Sequence, residues 1–265
     1  MITLITIRQK YVYLKLIFSQ GIRLSRIELL QRYKRSVLGI WWSLLNPIIS
    51  VVVYYLIFSE IIRIEGFSKK DYLIYIVAGV IVINFSVQTI TTIAEGFSVR
   101  VNVITRLRVN PFTLAHGNLG ASVFNFLMTL LPFFVLLFSE RGISPRLLLL
   151  VPLICAMTYF FFGIGLVLAI AYTLFDDAKA LTRIVLSFMP FLTPVFYSID
   201  QLPQALQNWI TASPFTNFLI LFRWSIGEPE TLQIAMFLNL ILSLVLSSIC
   251  LKYFYVKWDR VVKAL

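Results

Sequence analysis

The sequence is poor in charge, cysteine and histidine. Only 13% of its 265 residues are charged and 59% are hydrophobic, whereas about 25% of an ordinary soluble domain is charged. This composition excludes a water-soluble globule. Histidine occurs once, as His116, and the two cysteines, Cys155 and Cys250, lie far apart. These residues provide no metal cluster and no Ser-His-Asp set for catalysis, and we expect two free thiols packed as small hydrophobic groups.

The sequence also lacks the motifs of an energy-converting protein. No glycine is followed by lysine, so the Walker A loop that binds nucleotide phosphates is missing. Few charges interrupt the hydrophobic runs, whereas ion-coupled carriers place ionisable groups inside the membrane. The N-terminus has only a short apolar stretch before its first basic residues, and we expect no cleaved signal peptide. The sequence therefore predicts neither an ATPase nor an ion-driven carrier.

What the sequence has in abundance is long uncharged runs. Most of them exceed the roughly 18 residues that a helix needs to cross a bilayer. They cover residues 37–59, 72–94, 109–139, 147–175, 184–199 and 231–251. The runs are apolar on every face, whereas the strands of a transmembrane barrel alternate polar and apolar residues. The sequence predicts an all-α polytopic membrane protein with six transmembrane helices.

The basic residues indicate the orientation of these helices. Seventeen of the 23 Lys and Arg residues lie in the N-terminal segment, the second and fourth loops and the C-terminal tail. The alternate loops hold six basic residues and seven of the 12 acidic residues. By the positive-inside rule, both termini face the cytoplasm, in the cytoplasmic (inner) membrane. The net charge of +11 is thus a topology signal rather than a nucleic-acid footprint.

The N-terminal segment is too charged to cross the membrane. Residues 20–37 place an imperfect apolar stripe opposite a polar face, which predicts an amphipathic helix lying in the membrane interface. The alternative is a basic leader that only orients the first span. The predicted domains are a cytoplasmic segment, 1–36, a transmembrane domain, 37–258, and a cytoplasmic tail, 259–265.

Prolines break the region before the last run. Four of the ten prolines lie there: Pro190, Pro194, Pro203 and Pro214. A helix over 184–199 is only about 24 Å long, so we expect it to begin earlier, near Ala178. The mixed polar and apolar stretch that follows, 201–222, predicts two short re-entrant helices covered by protein or a water-filled cavity. An external loop with an amphipathic surface helix is the alternative.

The residues that open the first span carry a recognisable motif. Residues 32–47, RYKRSVLGIWWSLLNP, resemble the signature of polysaccharide-export permeases of the type-2 ABC transporter family. Residues 104–111, ITRLRVNP, resemble the cytoplasmic coupling segment of that family, and residues 193–197, TPVFY, resemble its Pro-rich turn before the external helices. Asp176-Asp177 stands where the family has Arg-Asp. These permeases export O-antigen, teichoic acid or capsule chains.

The resemblance implies partners for this chain. It implies a homodimer bound to two copies of a separate nucleotide-binding ATPase, which holds ATP and Mg and drives movement of a lipid-linked glycan. The ATPase-docking residues implied are Ile104, Thr105, Arg106, Leu107 and Arg108. Positive-inside charge alone would also account for the two arginines.

Two further residue sets are candidates for substrate contact. In the predicted topology a group of aromatic residues lies towards the outer side, where sugar rings could pack on their faces: Tyr54, Tyr55, Phe58, Phe196, Tyr197 and Trp209. An interfacial aromatic belt would explain many of them without a substrate. Arg32, Lys34 and Arg35 are candidates to attract the pyrophosphate of a polyprenyl-linked substrate, although anionic lipid attracts the same charges.

Other functions stay open at this point. A type-2 ABC permease for a small amphiphile or drug would share the topology. An integral-membrane glycan-synthesis enzyme would need an acidic catalytic cluster, for which Asp176-Asp177 is the one candidate. Two acids at a helix N-terminus are well explained by capping and the helix dipole. A structural assembly factor of the membrane is a further alternative.

Overall fold

The computed structural model describes residues 19–27, 30, 36–42, 45–46, 48–50, 52–53, 56, 69–107, 110–230 and 232–264. Within these residues the chain forms helices and no strand. Four helical segments are long and apolar enough to cross a membrane: Asp71–Val99, Pro111–Arg141, Pro145–Leu174 and Ile234–Trp258. They confirm the second, third, fourth and sixth predicted runs. The chain is a multi-pass membrane protein. Its first predicted run, 37–59, is described in separate pieces, of which residues 42, 45–46, 48–50, 52–53 and 56 are helical.

The main helices follow each other with short connections. They are α1 (Lys69–Leu107), α2 (Pro111–Arg141), α3 (Leu150–Leu174), α4 (Asp176–Ser187), α5 (Met189–Leu192), α6 (Gln204–Ala212), α7 (Pro214–Ser225) and α8 (Ile234–Ala264). Single 3-10 turns occur at Gly39–Trp41, Pro145–Leu149 and Ile199–Gln201. Following the orientation predicted from charge, we call the end of the bundle at Asp71 and Arg141 the outer end, and the opposite end the inner end.

Local sequence signals set the boundaries of α2. Asn110 caps the helix because its Oδ1 accepts a hydrogen bond from the backbone N of Phe112 at 2.9 Å. Pro111 follows in the first turn, where its missing N–H costs nothing. The helix ends before Gly142, whose φ of 72° suits a residue without a side chain. Local residues thus determine where α2 begins and where it ends.

The core lies around α1, which packs against α2, α3 and α7. Large side chains such as Phe85, Phe133 and Phe222 are fully buried between these helices. Helix α8 lies at the periphery and packs mainly on α3. Their contact is close at Gly163, because a Cβ there would lie 2.5 Å from the Ser247 Oγ.

The N-terminal helical segment, residues 19–27, packs on the inner part of α2. A Cβ on Gly117 would lie 2.7 Å from the Leu24 Cβ, and a Cβ on Gly120 would lie 2.2 Å from the Ser25 Oγ. The two α2 glycines therefore form the surface on which this segment rests. Ile22 and Ile27 are exposed, at 57% and 48%, on the sides that do not touch α2. An apolar surface of this kind is typical of a helix in the membrane interface.

The fifth predicted run is not a single helix. Helix α4 ends at Ser187, α5 has only four residues, and the chain is extended at Thr193, with φ −111° and ψ 143°. Proline lacks an N–H donor and disfavours helical backbone in the preceding residue, so Pro194 explains why Thr193 leaves the helix. Asp176 and Asp177 occupy the first turn of α4, as the helix-dipole interpretation requires.

Two short helices follow this break, as the sequence predicted. Helix α6 has no buried residue, whereas most residues of α7 are buried. Helix α7 packs against α1, α3 and α8. A surface helix therefore describes α6 only, and α7 belongs to the interior of the bundle.

Candidate functional site

One face of α1 opens into a cleft halfway along its apolar part. The cleft has a volume of about 440 Å³, and its walls come from α1, α2 and residues of the first hydrophobic run. Its polar side chains are Asn46, Ser50, Asn84, Gln88, Thr91 and Thr129. Asn84 and Gln88 flank the midpoint of the stretch Asp71–Val99, which is 29 residues long. We call this cavity the polar cleft.

The two carboxamides that α1 contributes are available for binding. Asn84 is exposed and Gln88 is half-buried, and both side chains line the polar cleft. Among the described residues, neither side chain has a hydrogen-bond partner. Each carboxamide offers two N–H donors and one carbonyl acceptor. A molecule in the cleft could therefore donate to and accept from both residues.

The hydroxyl groups of the cleft are arranged differently, because each donates its proton to its own helix. Ser50 Oγ donates to the Asn46 carbonyl at 2.9 Å. Thr91 Oγ1 donates to the Val87 carbonyl at 2.8 Å, and Thr129 Oγ1 donates to the Asn125 carbonyl at 2.9 Å. A hydroxyl oxygen keeps acceptor capacity when its proton is engaged. These three side chains present acceptors to the cleft.

The polar cleft has no formal charge in its lining of described residues. The next polar residue on this face towards the inner end is Glu95. Its Oε1 accepts hydrogen bonds from Arg183 Nη2 at 2.7 Å and Nε at 3.2 Å, which joins α1 to α4. The carboxylate nearest to the cleft on this face of α1 is therefore paired with a cation.

Apolar side chains complete the cleft. Phe85 of α1 and Phe126 of α2 border it, and their ring centroids lie 4.2 Å apart with an interplanar angle of 33°. Val77, Val80 and Ile81 extend the apolar wall towards the outer end. The cleft thus combines unpartnered amides with aromatic and aliphatic surface.

A second cavity lies at the inner end. It has a volume of about 360 Å³ and is lined by Ser98, Val99, Tyr172, Thr173, Asp176 and Lys179. The lining holds one acidic and one basic side chain. Its position, where α3 passes into α4, separates it from the polar cleft.

At the outer end, side chains bind the irregular backbone that follows α5. The Tyr72 hydroxyl donates to the Phe196 carbonyl at 3.0 Å, and the Tyr75 hydroxyl donates to the Tyr197 carbonyl at 2.9 Å. Arg223 of α7 donates from Nη1 to the Pro194 carbonyl at 2.8 Å and from Nη2 to the Val195 carbonyl at 3.1 Å. Four consecutive carbonyls, 194–197, are thus bound by side chains of α1 and α7. We call this arrangement the outer clamp.

Arg223 is the central residue of the outer clamp. It is only 1% exposed, and its guanidinium lies 3.3 Å from the centre of the Tyr75 ring. Nη2 also donates to the Tyr75 carbonyl at 3.0 Å. The residue facing it on α1 is Gly79, where a Cβ would lie 3.0 Å from Nη2. Glycine at this position leaves room for the buried guanidinium.

An ion-pair network lies next to the outer clamp. Arg141 at the end of α2 donates from Nε to Asp71 Oδ1 at 3.0 Å, and its Nη1 lies 2.8 Å from Glu228 Oε1. Glu228 is only 2% exposed. Burial raises the pKa of the Glu228 carboxyl above its ordinary value, although Arg141 opposes this shift. Burial likewise raises the pKa of Glu230, with Arg223 opposing it.

The structure brings together only part of the predicted aromatic set. Phe196 and Tyr197 are adjacent in the backbone that the outer clamp binds, and both are half-buried. Trp209 lies on α6 and is 80% exposed. Tyr54, Tyr55 and Phe58 lie outside the described residues.

The predicted inner residues are described only in part. Ile104, Thr105, Arg106 and Leu107 belong to the last turns of α1, so the coupling segment continues the helix instead of following it as a separate element. Arg108 lies outside the described residues, as do Arg32, Lys34 and Arg35.

Sequence reasoning missed the polar cleft. The signal was present in α1, where Asn84, Gln88 and Thr91 recur at helical spacing inside an apolar run. Polar residues that share one face of a membrane helix usually face protein or a cavity. The outer clamp was equally hidden, because no local pattern shows that Arg223 is buried.

Known proteins are similar to this chain over most of its length. The family model described as ABC-2 type transporter matches residues 19–226. An O-antigen export system permease protein RfbA of Klebsiella pneumoniae is 25% identical over 257 residues, which are 94% of this chain and 97% of the relative. A second K. pneumoniae protein of that name is 24% identical over 82% of this chain and 83% of its own length. A Myxococcus xanthus protein of that name is 24% identical over 73% of this chain and 72% of its own.

Proposed function

Because the chain belongs to the ABC-2 type transporter family, we propose that it is the permease subunit of an ATP-driven exporter that moves a lipid-linked polysaccharide across the cytoplasmic membrane. The observation that carries this proposal is similarity over 94% of the chain to a protein named as an O-antigen export permease. O-antigen is thus the favoured cargo, with teichoic acid or capsule chains as the related classes. The uncharged polar cleft between apolar helices supports a path for a hydroxyl-rich cargo.

The proposed assembly contains two copies of this chain and two copies of a separate ATPase, which binds ATP and Mg. In this assembly each chain crosses the membrane six times, with both termini in the cytoplasm. Residues 37–59 form the first span and the broken segment α4–α5 forms the fifth. Helices α6 and α7 re-enter the membrane from the outer side. The buried position of α7 supports this, because the irregular backbone on either side of a re-entrant helix has to be covered by protein at membrane depth.

The cargo path in this proposal combines polar and aromatic surfaces. Tyr197 and Trp209 keep exposed ring surface near the outer end, and Tyr54, Tyr55 and Phe58 are proposed to contribute further rings. Phe196 packs against Tyr72 and Tyr75, so its part in the path is to shape the backbone. Arg32, Lys34 and Arg35 are proposed to attract the pyrophosphate of the lipid carrier at the inner surface.

Helix α1 is the proposed connection to the ATPase. It continues to Leu107, well beyond Val99, where its apolar membrane-crossing stretch ends. A continuous helix transmits a push along its axis better than a hinge does, so docking at its tip would couple the ATPase to the cleft on the same helix. The proposed docking residues are Ile104, Thr105, Arg106, Leu107 and Arg108.

Charge reversal tests this docking. In the variant Arg106→Glu/Arg108→Glu we expect loss of ATPase co-purification and normal membrane insertion, because two attractive charges become repulsive ones. Co-purification from detergent extracts with a tagged chain measures the association.

The matched control is Lys252→Glu, a reversal on the exposed inner part of α8. This control should leave co-purification unchanged. Equal co-purification of the double variant and the control would remove the two arginines from the docking surface.

A permease for a small amphiphile is the second candidate. The polar cleft, at about 440 Å³, is within the size range of small-molecule sites. ATPase turnover in the reconstituted complex separates the two functions. Stimulation by lipid-linked glycan but not by amphiphilic drugs supports polysaccharide export, and the reverse pattern supports the second candidate.

A further inference from the structure

We infer that the polar cleft binds uncharged, hydroxyl-rich sugar units and discriminates against anionic ones. This inference deepens the proposed function and rests on it, because it specifies the class of glycan that the exporter carries. It concerns the six polar side chains of the cleft and the two phenylalanines beside them. The related classes of cargo include neutral and acidic polymers, and the inference selects the neutral ones.

The unpartnered amides of Asn84 and Gln88 are the first reason. A polar group in an apolar region costs free energy unless it finds a hydrogen-bond partner. These two amides face an open cavity halfway along α1 instead of a neighbouring side chain among the described residues. Sugar hydroxyls both donate and accept, so they match the donors and acceptors of a carboxamide.

The second reason is the back-bonded hydroxyls of Ser50, Thr91 and Thr129. Because their protons are engaged by helix carbonyls, they present acceptors to the cleft. A sugar hydroxyl can donate to such an acceptor, whereas a carboxylate or phosphate oxygen has no proton to give. The cleft therefore contains more sites for neutral hydroxyls than for anions.

The third reason is the lack of charge. No basic side chain lines the cleft among the described residues, and Arg183, on α4 towards the inner end, is engaged by Glu95. An anion in this cavity would lose its hydration without gaining a cation, which is strongly unfavourable. A neutral sugar loses only hydrogen bonds that the amides replace.

The apolar wall fits the same ligand. Pyranose rings present C–H faces as well as hydroxyl edges, and the rings of Phe85 and Phe126 line the same cleft as its polar side chains. A lipid chain would use this wall but would leave both amides unsatisfied. The lining thus favours a sugar over an acyl chain.

A cysteine reporter in the cleft tests the inference. Val87→Cys places a thiol in the cleft lining and keeps all six polar side chains, and it is introduced after Cys155→Ala and Cys250→Ala remove the native thiols. The complex of this chain with its ATPase, in lipid nanodiscs, is treated with an uncharged methanethiosulfonate. The modification rate is measured with maltoheptaose, a neutral sugar, and with oligogalacturonate of equal length, an acidic one. We expect maltoheptaose to slow modification about fivefold at about four times its dissociation constant, and oligogalacturonate to have no effect.

The control reporter is Ser248→Cys on α8. Ser248 is exposed, but it lies on the peripheral helix and does not line the cleft. Its modification rate should not respond to either sugar. Equal protection of both reporters by maltoheptaose would overturn the inference.

Removal of the amides provides the second measurement. In the Val87→Cys background, Gln88→Leu and Asn84→Leu, separately and together, should abolish protection by maltoheptaose while ATPase co-purification is retained. If the double variant does not assemble, the single variants give the result. Unchanged protection in the leucine variants, or protection by oligogalacturonate as strong as by maltoheptaose, would contradict the inference.

Failure of the proposed function has a different signature. If the unmodified complex exports lipid-linked glycan but the Val87→Cys reporter does not respond to neutral sugar, the inference fails and the export function stands. If no ATPase associates with the chain, the export function fails, and the reporter on the chain alone still decides whether the cleft prefers neutral sugars.

Discussion

At the scale of single residues, Arg223 shows how a buried charge can hold an irregular backbone. Its guanidinium donates to the carbonyls of Tyr75, Pro194 and Val195 and lies against the Tyr75 ring. Three carbonyls and one aromatic face replace the water that the cation loses on burial. The planar, forked shape of guanidinium is what allows one side chain to reach carbonyls from two segments.

The first prediction concerns the shape of this group. In Arg223→Lys the charge stays buried but an ammonium cannot reach the same three carbonyls, so we expect the free energy of unfolding to fall by about 3 kcal/mol. Denaturant titration in detergent micelles measures the change.

The matched control is Arg146→Lys. Arg146 is exposed and lies 5.0 Å from the centre of the Trp224 ring, so the same replacement there should cost no more than about 0.5 kcal/mol. Equal losses at positions 146 and 223 would show that the fork at Arg223 is not what holds the outer clamp.

The second prediction concerns Glu228. Burial raises the pKa of its carboxyl in the folded protein, so the folded state holds a proton more tightly than the unfolded state does. This contribution to stability is present at low pH and is lost as pH rises through the folded pKa. Relative to Glu228→Gln, which cannot ionise, the wild-type chain should therefore lose stability as pH rises from about 4 towards 7.

Unfolding titrations of both chains across this pH range measure the difference. Arg141 keeps Asp71 as a partner in the variant, so its own charge stays paired. A difference in stability that is independent of pH, or that changes in favour of the wild type as pH rises, would contradict the assignment.

Sequence reasoning at this scale found residues but not their contacts. Phe196 and Tyr197 were predicted as aromatic surface, yet the structure uses their backbone carbonyls as acceptors for Tyr72 and Tyr75. These contacts join residues more than 100 positions apart, and no local pattern encodes them. The spacing of Asn84, Gln88 and Thr91 was readable, but only the packing of α1 against α2 shows that it faces a cavity.

At the scale of elements, hydropathy predicted the long helices well. Four runs match helices because, in an apolar environment, the backbone has to satisfy its own hydrogen bonds. The fifth run does not form one helix because Pro194 ends it. The sequence already showed that a helix over 184–199 is too short to cross the membrane. The burial of α7 could not be predicted, since it depends on how α1, α3 and α8 pack around it.

The third prediction concerns the contact of α3 with α8. In Gly163→Ala the new methyl group would collide with Ser247, whose Oγ would lie 2.5 Å and whose Cα would lie 3.0 Å away. We expect a loss of about 1 to 3 kcal/mol in the free energy of unfolding.

A compensating change sharpens this test. Ser247→Gly removes the Oγ and the Cβ. We therefore expect Gly163→Ala to lower the free energy of unfolding less in the Ser247→Gly background than in the wild-type chain. Strictly additive effects of the two substitutions would show that the helices do not meet closely at this point.

At the scale of the whole molecule, we propose that the chain provides the path and that a separate ATPase provides the energy. Its sequence lacks a nucleotide-binding loop, and its family pairs such permeases with an ATPase. The long α1 carries both the cleft and the inner tip, so one rigid element links the proposed cargo site to the proposed docking site. The fold and the cleft thus agree with an exporter in which this chain binds the cargo and a second protein hydrolyses ATP.

Reconstitution tests this division most directly. The chain is placed in liposomes with lipid-linked glycan on the ATP side, either alone or with its ATPase, and glycan that reaches the opposite leaflet is counted over time. We predict ATP-dependent accumulation against the gradient only when both proteins are present. Accumulation against the gradient by the chain alone would contradict the account.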